Sequence, residues 1–240
     1  MTAPRPRRPA NAALAQPCLP VRSPVSLAVA LAAALWAAPA PLWALPQDAV
    51  ATLGQVVVRP VGSSVLDIVQ SSARAALDWR SFSIAAGERV VVHQPDAASV
   101  LFSRVTGGDP SLIFGQLQAN GRVFLSNPRG ILFGAGAQVD VGGLVATTLA
   151  VNTTALVNGN YQLSGANANT GTLQMDGSIR APAGTVVLVG PSVRVGGQVL
   201  AGRVGLAAAA AVQVDVDGDG LIFFNLRNDS LAARDRKSVV

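Results

Sequence analysis

Few residues of this 240-residue chain are of types that do chemistry, and their spacing limits what they can do. Asp215-Val-Asp-Gly-Asp-Gly220 reproduces the D-x-D-x-D-G opening of a calcium loop. Its twelfth position is Leu226, where such a loop places a bidentate Glu. That excludes an EF-hand and leaves an Asp-Gly turn or a weak cation site. His93 is the sole histidine and Glu88 the sole glutamate, and neither sits in a zinc or hydrolase signature. A Ser-His-Asp triad or a zinc centre therefore lacks material, and the sequence predicts no catalytic residue, metal ligand or cofactor. Asp67, Asp78 and Asp96 are the acids that would have to converge for carboxylate chemistry on a polysaccharide, and a solvated or turn role is the plainer expectation. Trp79 and Tyr161 would suit stacking on a sugar if exposed, although aromatics are more often buried. Asn127-Pro128-Arg129-Gly130-Ile131 predicts a type I or type II turn, with Pro fixing φ at its second position and Gly130 allowing positive φ.

The composition says what kind of chain holds these residues. Half of it is hydrophobic and 13% is charged, with 24 Gly and 15 Pro, which argues for one domain, or at most two small ones, and against disorder. A net charge of +5 and a pI near 10.9 suggest a nucleic-acid partner. The distribution removes that reading. Of 18 Lys+Arg, Arg5, Arg7, Arg8 and Arg22 are the only charges in residues 1–44, leaving 14 basic against 13 acidic residues. With the stretch from Arg227 set aside the numbers are 10 and 11, so the body is nearly neutral and no nucleic-acid partner is predicted.

Residues 1–44 read as a secretory signal peptide: a basic start, the 14-residue apolar run Val25–Ala38, then Pro39-Ala-Pro-Leu-Trp-Ala44. The apolar run is short of the roughly 20 residues of a spanning helix, and a retained anchor is the alternative. Cleavage is expected after Ala44, because cleavage after Ala40 would leave Pro41 first; the long basic start also admits initiation downstream of Met1. Cys18, the only cysteine, falls in this segment, so no disulfide is expected in the mature chain. From Leu45 onward, short β-branched runs such as Gln55-Val-Val-Val-Arg59, Arg89-Val-Val-Val-His93 and Arg122-Val-Phe-Leu125 alternate with Gly, Asn, Asp and Pro, which predicts strands. Ala-rich Ser71–Trp79 and Ala207–Ala211 are expected to be strand rather than helix because of their neighbours. Val139-Asp-Val-Gly-Gly-Leu-Val145 recurs as Val193-Arg-Val-Gly-Gly-Gln-Val199, 54 residues on, and Gly184-Thr-Val-Val-Leu188 matches Gly202-Arg-Val-Gly-Leu206, 18 residues on. Since 54 is three times 18, the spacing predicts an all-β parallel β-helix with rungs of about 18 residues. Val139, Val141, Val186, Leu188, Val193, Val195, Val204 and Leu206 are expected to point inward. Residues 226–240 lose the rhythm and are expected to be an irregular tail, from a truncated or misassigned reading frame.

Several blocks in order resemble a known family: Arg74-Ala-Ala-Leu-Asp-Trp-Arg-Ser-Phe-Ser-Ile84, Phe102-Ser-Arg-Val-Thr-Gly-Gly-Asp-Pro110, Gly115-Gln-Leu-Gln-Ala-Asn-Gly121 and the segment Asn127–Ala146. Over residues 45–225 the chain is similar to the N-terminal two-partner secretion (TPS) domain of filamentous haemagglutinin-type exoproteins. The resemblance implies a right-handed parallel β-helix with an N-terminal β cap and a non-enzymatic role heading a large Gram-negative adhesin. It also implies a route: the Sec translocon and signal peptidase, then the POTRA domains of an outer-membrane β-barrel transporter, with folding as a monomer at the cell surface. A host-surface glycan or protein is the implied receptor. The Asn-Pro-Asn-Gly-Ile hallmark of the family is matched by Asn127, Pro128, Gly130 and Ile131, while Arg129 replaces its second Asn. Two roles stay open for this segment: a turn that sets the fold, and direct contact with the transporter. A contact-dependent growth-inhibition toxin head and a secreted carbohydrate-active β-helix are the rival readings. The Asn152-Thr-Thr154 and Asn228-Asp-Ser230 sequons are expected to be incidental in a bacterial export product.

Overall fold

In the computed structural model, described over residues 45–151, 161–164, 171–209 and 211–214, every regular element is a strand. Strands β1 (Val50–Leu53), β2 (Val56–Val61), β3 (Val65–Gln70) and β4 (Arg74–Trp79) open the domain. β1 runs antiparallel to β4 and β2 antiparallel to β3, which makes the N-terminal cap. Pairing then turns parallel. β5 (Arg89–His93) adds to β3, and β6 (Val100–Val105) adds to β4. After β7 (Ser111–Ile113), the long strand β8 (Gln116–Ser126) pairs with β5 along its first half and with β6 along its second. β9 (Ile131–Phe133), β10 (Gln138–Thr147), β11 (Ala150–Val151), β12 (Tyr161–Ser164), β13 (Leu173–Met175), β14 (Ser178–Gly190), β15 (Val193–Val195), β16 (Gln198–Ala208) and β17 (Ala211–Val214) complete the described chain.

The long wall of the solenoid is the path β4-β6-β8-β10-β14-β16, and a short wall β7-β9-β13-β15 faces it. Parallel pairing from coil to coil above an antiparallel N-terminal cap makes the expected β-helix the fold observed. Ser71–Trp79 contributes β4 rather than a helix, and Ala207–Ala208 end β16.

The 18-residue rung does not hold through the stack. In-register partners are Arg74 and Val100, Val100 and Arg122, then Arg122 and Gly143, separations of 26, 22 and 21 residues. Only the last described coil, where Val186 meets Val204 and Leu188 meets Leu206, has the 18-residue spacing. Between Leu144 and Val186 the rung swells to 42 residues, because an excursion carries β11 and β12 into a separate antiparallel sheet with β17. The 54-residue match is likewise not structural: Val139 pairs with Ile179 in the long wall, whereas Val193 pairs with Leu173 in the short one.

Alternation explains the interior. Leu66, Leu77, Val90, Leu117, Val139, Leu144, Ile179, Val186 and Leu188 are buried in one column between the walls, with Ile113, Phe133 and Met175 opposite. Val139, Val141, Val186 and Leu188 are buried as expected. On the last described coils Val193 is half-buried against the core, while Val195, Val204 and Leu206 are 41%, 49% and 52% exposed. The register keeps the latter two on the inward rows of Val186 and Leu188, but no described coil lies above them. A second apolar cluster lies on the outer face of the long wall: Val100, Phe102, Phe124, Val145, Val187 and Val189 under Leu149 and Val151. The Phe102 and Phe124 rings meet there at 5.4 Å between centroids, tilted by 46°, and with this cluster β6 and the second half of β14 are buried on both faces. Leu117→Ala, which empties a fully buried position, should lower stability by about 2–5 kcal/mol, read as a lower denaturant midpoint at unchanged m-value.

Candidate functional site

Segment 127–131 joins β8 to β9, at the corner where the long wall turns into the short wall. Its geometry is a turn: the Gly130 amide donates to the Asn127 carbonyl at 3.1 Å. Gly130 has φ of +125°, while Arg129 keeps a negative φ. A type II turn needs the left-handed region at its third residue, here Arg129, so that alternative is excluded. The same fact explains why an Arg can stand at 129, since nothing in the turn requires the left-handed tolerance of Asn.

Asn127 is fully buried and every polar atom of its side chain is used. Its Oδ1 accepts from the Arg129 amide at 2.9 Å, and its Nδ2 donates to the Asp109 carbonyl at 3.1 Å and to Ser111 Oγ at 2.9 Å. The backbone joins neighbouring coils in the same way. Ser111 N donates to the Gly130 carbonyl, Ile131 N to the Thr172 carbonyl, and Gly171 N to the Pro128 carbonyl at 2.7 Å. Gly171 lies so close that a Cβ there would overlap the Arg129 carbonyl. The turn is thus clamped between the coil before it and the coil after it. Ile131 is buried in the core, Pro128 is half-buried, and Arg129 alone of the five is exposed. Asp109, Ser111 and Gly171, which complete the clamp, carry no local sequence signal; they become partners only through coil stacking.

The residues able to do other chemistry do not assemble. Asp67 pairs with Arg59 at 3.3 Å and His93 at 3.0 Å on the outer face of the cap. Asp78 makes a two-pronged pair with Arg104, its register partner on β6, with Nε to Oδ1 at 2.8 Å. Asp96 closes a local turn, accepting from Ser99 Oγ at 2.8 Å and from the Ser99 and Ala98 amides. These bonds, that of the Ser99 hydroxyl foremost, hold the Asp96 carboxyl below its ordinary value, the wrong direction for the general acid of a glycosidase. Trp79 is buried against Phe82 and offers no sugar platform. Among the described residues no three of His, Cys, Asp or Glu are grouped as metal ligands. Ala44, Cys18, Asp215–Gly220 and both sequons lie outside the described residues.

Two outcomes follow. Asn127→Ala strands Ser111 Oγ and two backbone groups in a closed corner and should cost about 1–3 kcal/mol in urea denaturation, whereas Arg129→Asn should stay within about 0.5 kcal/mol. For Asp96, a carboxyl that is more acidic folded than unfolded adds stability above its ordinary value of 3.8, and this is lost as pH falls through the lowered folded value; Ser99→Ala should flatten that acid limb of the stability profile.

Comparison with known proteins agrees with this geometry. The family described as the TPS secretion domain matches residues 44–236. A heme/hemopexin-binding protein of Haemophilus influenzae (strain ATCC 51907 / DSM 11121 / KW20 / Rd) is 43% identical over 104 residues, and a second from Haemophilus influenzae is 40% identical over 103. Each match spans 43% of this chain and 11% of the relative. The crystal structure of the HMW1 secretion domain from Haemophilus influenzae superposes with a TM-score of 0.64 at 26% identity, over 70% of this chain and 46% of that one. A capped parallel solenoid, a clamped Asn-Pro-x-Gly-Ile corner and a family match over most of the chain lead to one conclusion: the chain belongs to the TPS secretion domain family, the secretion domain of two-partner exoproteins.

Proposed function

We propose that this domain is the export address of a longer surface or secreted protein and is read by the POTRA domains of an outer-membrane transporter before it folds. The burial of Asn127 carries this reading. In the folded domain Asn127, Gly130 and Ile131 are enclosed between coils, Pro128 is half-buried, and Arg129 alone is fully exposed to a partner. A transporter that reads the hallmark residues has to meet the chain while they are still accessible, and folding then withdraws them. In the same reading, residues 1–44 direct the chain to the Sec translocon and are cut after Ala44. Coils form outside the cell, each on the one before, and the role in this reading is delivery rather than catalysis.

The binding activity of the parent protein belongs to sequence beyond this domain. An adhesin of the filamentous haemagglutinin type that meets a host-surface glycan or protein is the first reading. A heme- or hemopexin-binding exoprotein is the second, favoured by 43% identity to a protein of that name over 104 residues.

Co-expression with the cognate transporter tests the proposal. Asn127→Ala with Pro128→Ala should abolish release into the medium and leave the chain in the periplasm; undiminished release would contradict the role of this segment. Chain diluted out of urea onto purified POTRA domains should bind, and fully folded chain should not; equal binding by folded chain would overturn recognition before folding.

A further inference from the structure

β8 is the first strand to run unbroken along the long wall. Beneath it the wall is split: Gln116–Ala119 pair with Arg89–Val92 of β5, and Arg122–Ser126 pair with Val100–Arg104 of β6. Asn120 and Gly121 therefore face no strand in the coil below, where residues 94–99 loop from β5 to β6. Buried backbone groups around such a notch need partners. One side chain supplies them. Gln94, nearly fully buried, accepts at Oε1 from the Gly121 amide at 2.9 Å. Its Nε2 lies within reach of the Ser99 carbonyl at 3.1 Å, the Arg122 carbonyl at 3.2 Å and Gln70 Oε1 at 3.2 Å. Asn120 in turn holds the Gln94 backbone as a strand neighbour would, accepting from its amide at 2.7 Å and donating to its carbonyl at 2.8 Å. Gln70 extends the network into the cap by donating to the Ser72 and Val100 carbonyls.

Above the notch the same corner is filled by backbone alone. A Cβ on Gly121 would come within 2.6 Å of Gln94 Oε1, one on Gly142 within 2.8 Å of the Gly121 carbonyl, and one on Gly202 within 3.1 Å of the Gly184 carbonyl; one on Gly184 would overlap the Gly142 carbonyl. Gln70, Gln94, Gly121, Gly142, Gly184 and Gly202 thus form one column, a residue per coil. Each glycine closes against the residue beneath it, and the lowest glycine closes against the Gln94 amide. A slip of β8 by one residue would bring Asn120 or Arg122, each with a Cβ, onto that amide and turn the inward row outward.

We infer that the Gln94 side-chain amide is the register lock on which winding of the solenoid begins, so that coils form from the cap upward. This does not depend on how the transporter reads the chain. A Gln94 that merely satisfied buried groups in the finished fold would, when lost, mainly speed unfolding; a lock acts on folding. Refolding and unfolding kinetics of the full chain separate the two. Gln94→Leu keeps the volume and removes the amide, and it should slow refolding by about tenfold or more with little change in unfolding. Ile179→Val, in an upper coil, should instead speed unfolding and leave refolding unchanged. An effect of Gln94→Leu confined to unfolding would overturn the proposal. Should that variant fail to fold, pulse-labelled hydrogen exchange on the unaltered chain decides: the Gly121 and Arg122 amides should be protected before those of Val186–Val189, and simultaneous or reversed protection would overturn the lock.

Discussion

Every coil of this domain has to present its backbone to the next in register, because each long-wall strand finds its hydrogen-bond partners in the coils on either side. Neighbouring strands in such a stack lie roughly 4.8 Å apart, which leaves no room at a corner for a misplaced Cβ. The other features follow from that spacing. At one corner the stack narrows onto a column of glycines; at another, the Asn127 amide uses all its polar atoms to tie its own turn to the coil before it. Inward residues repeat in rows because parallel register puts like positions above each other, giving the line from Leu117 through Val139 to Ile179. Chain that does not fit the repeat is expelled, as in the excursion between Leu144 and Val186 that pairs antiparallel with β17.

The same constraint links fold to export. Contacts between successive coils are short in sequence, so they can form in order as a chain emerges, without waiting for distant segments. The hallmark turn is complete only when the coil carrying Gly171 and Thr172 arrives above it. Folding and concealment of the motif are then one event, which gives the proposed recognition step a direction. The few charges are handled locally: Asp78 with Arg104 and Asp67 with Arg59 neutralise one another on adjacent strands, at positions fixed by register.

Much of the fold was legible because strand periodicity is local. Runs such as Arg89–His93 and Arg122–Leu125 carry their alternation in a handful of residues, and the Gly184 and Gly202 pair marks a true coil step. The rung length misleads because a 54-residue match between different walls divides evenly into thirds of 18, the spacing of one genuine step in the last described coil. Sequence similarity between Val139–Val145 and Val193–Val199 reflects the common demand for alternating valines beside paired glycines, which two different corners share. The second apolar cluster escaped for the converse reason: Phe102 and Phe124 sit on the nominally outer face, and among the described residues Leu149 and Val151 join them in a cluster that makes that face interior. The turn at 127–130 was readable from Pro and Gly, but its closure by Ser111 and Gly171 was not, since those partners lie 16 and 44 residues from Asn127 and meet it only through stacking.

Register between coils is the claim on which the rest stands, and crosslinking measures it directly. Gln116 and Gln138 are in-register neighbours on the outer face of the long wall, at a spacing a disulfide can bridge. In a Cys18→Ser background, Gln116→Cys with Gln138→Cys should oxidise readily to one intramolecular bond in the folded chain, and Gln116→Cys with Asp140→Cys, two residues out of register, should not. Efficient crosslinking of the second pair with failure of the first would contradict the coil register, and with it the clamped turn, the glycine column and the concealment of the motif.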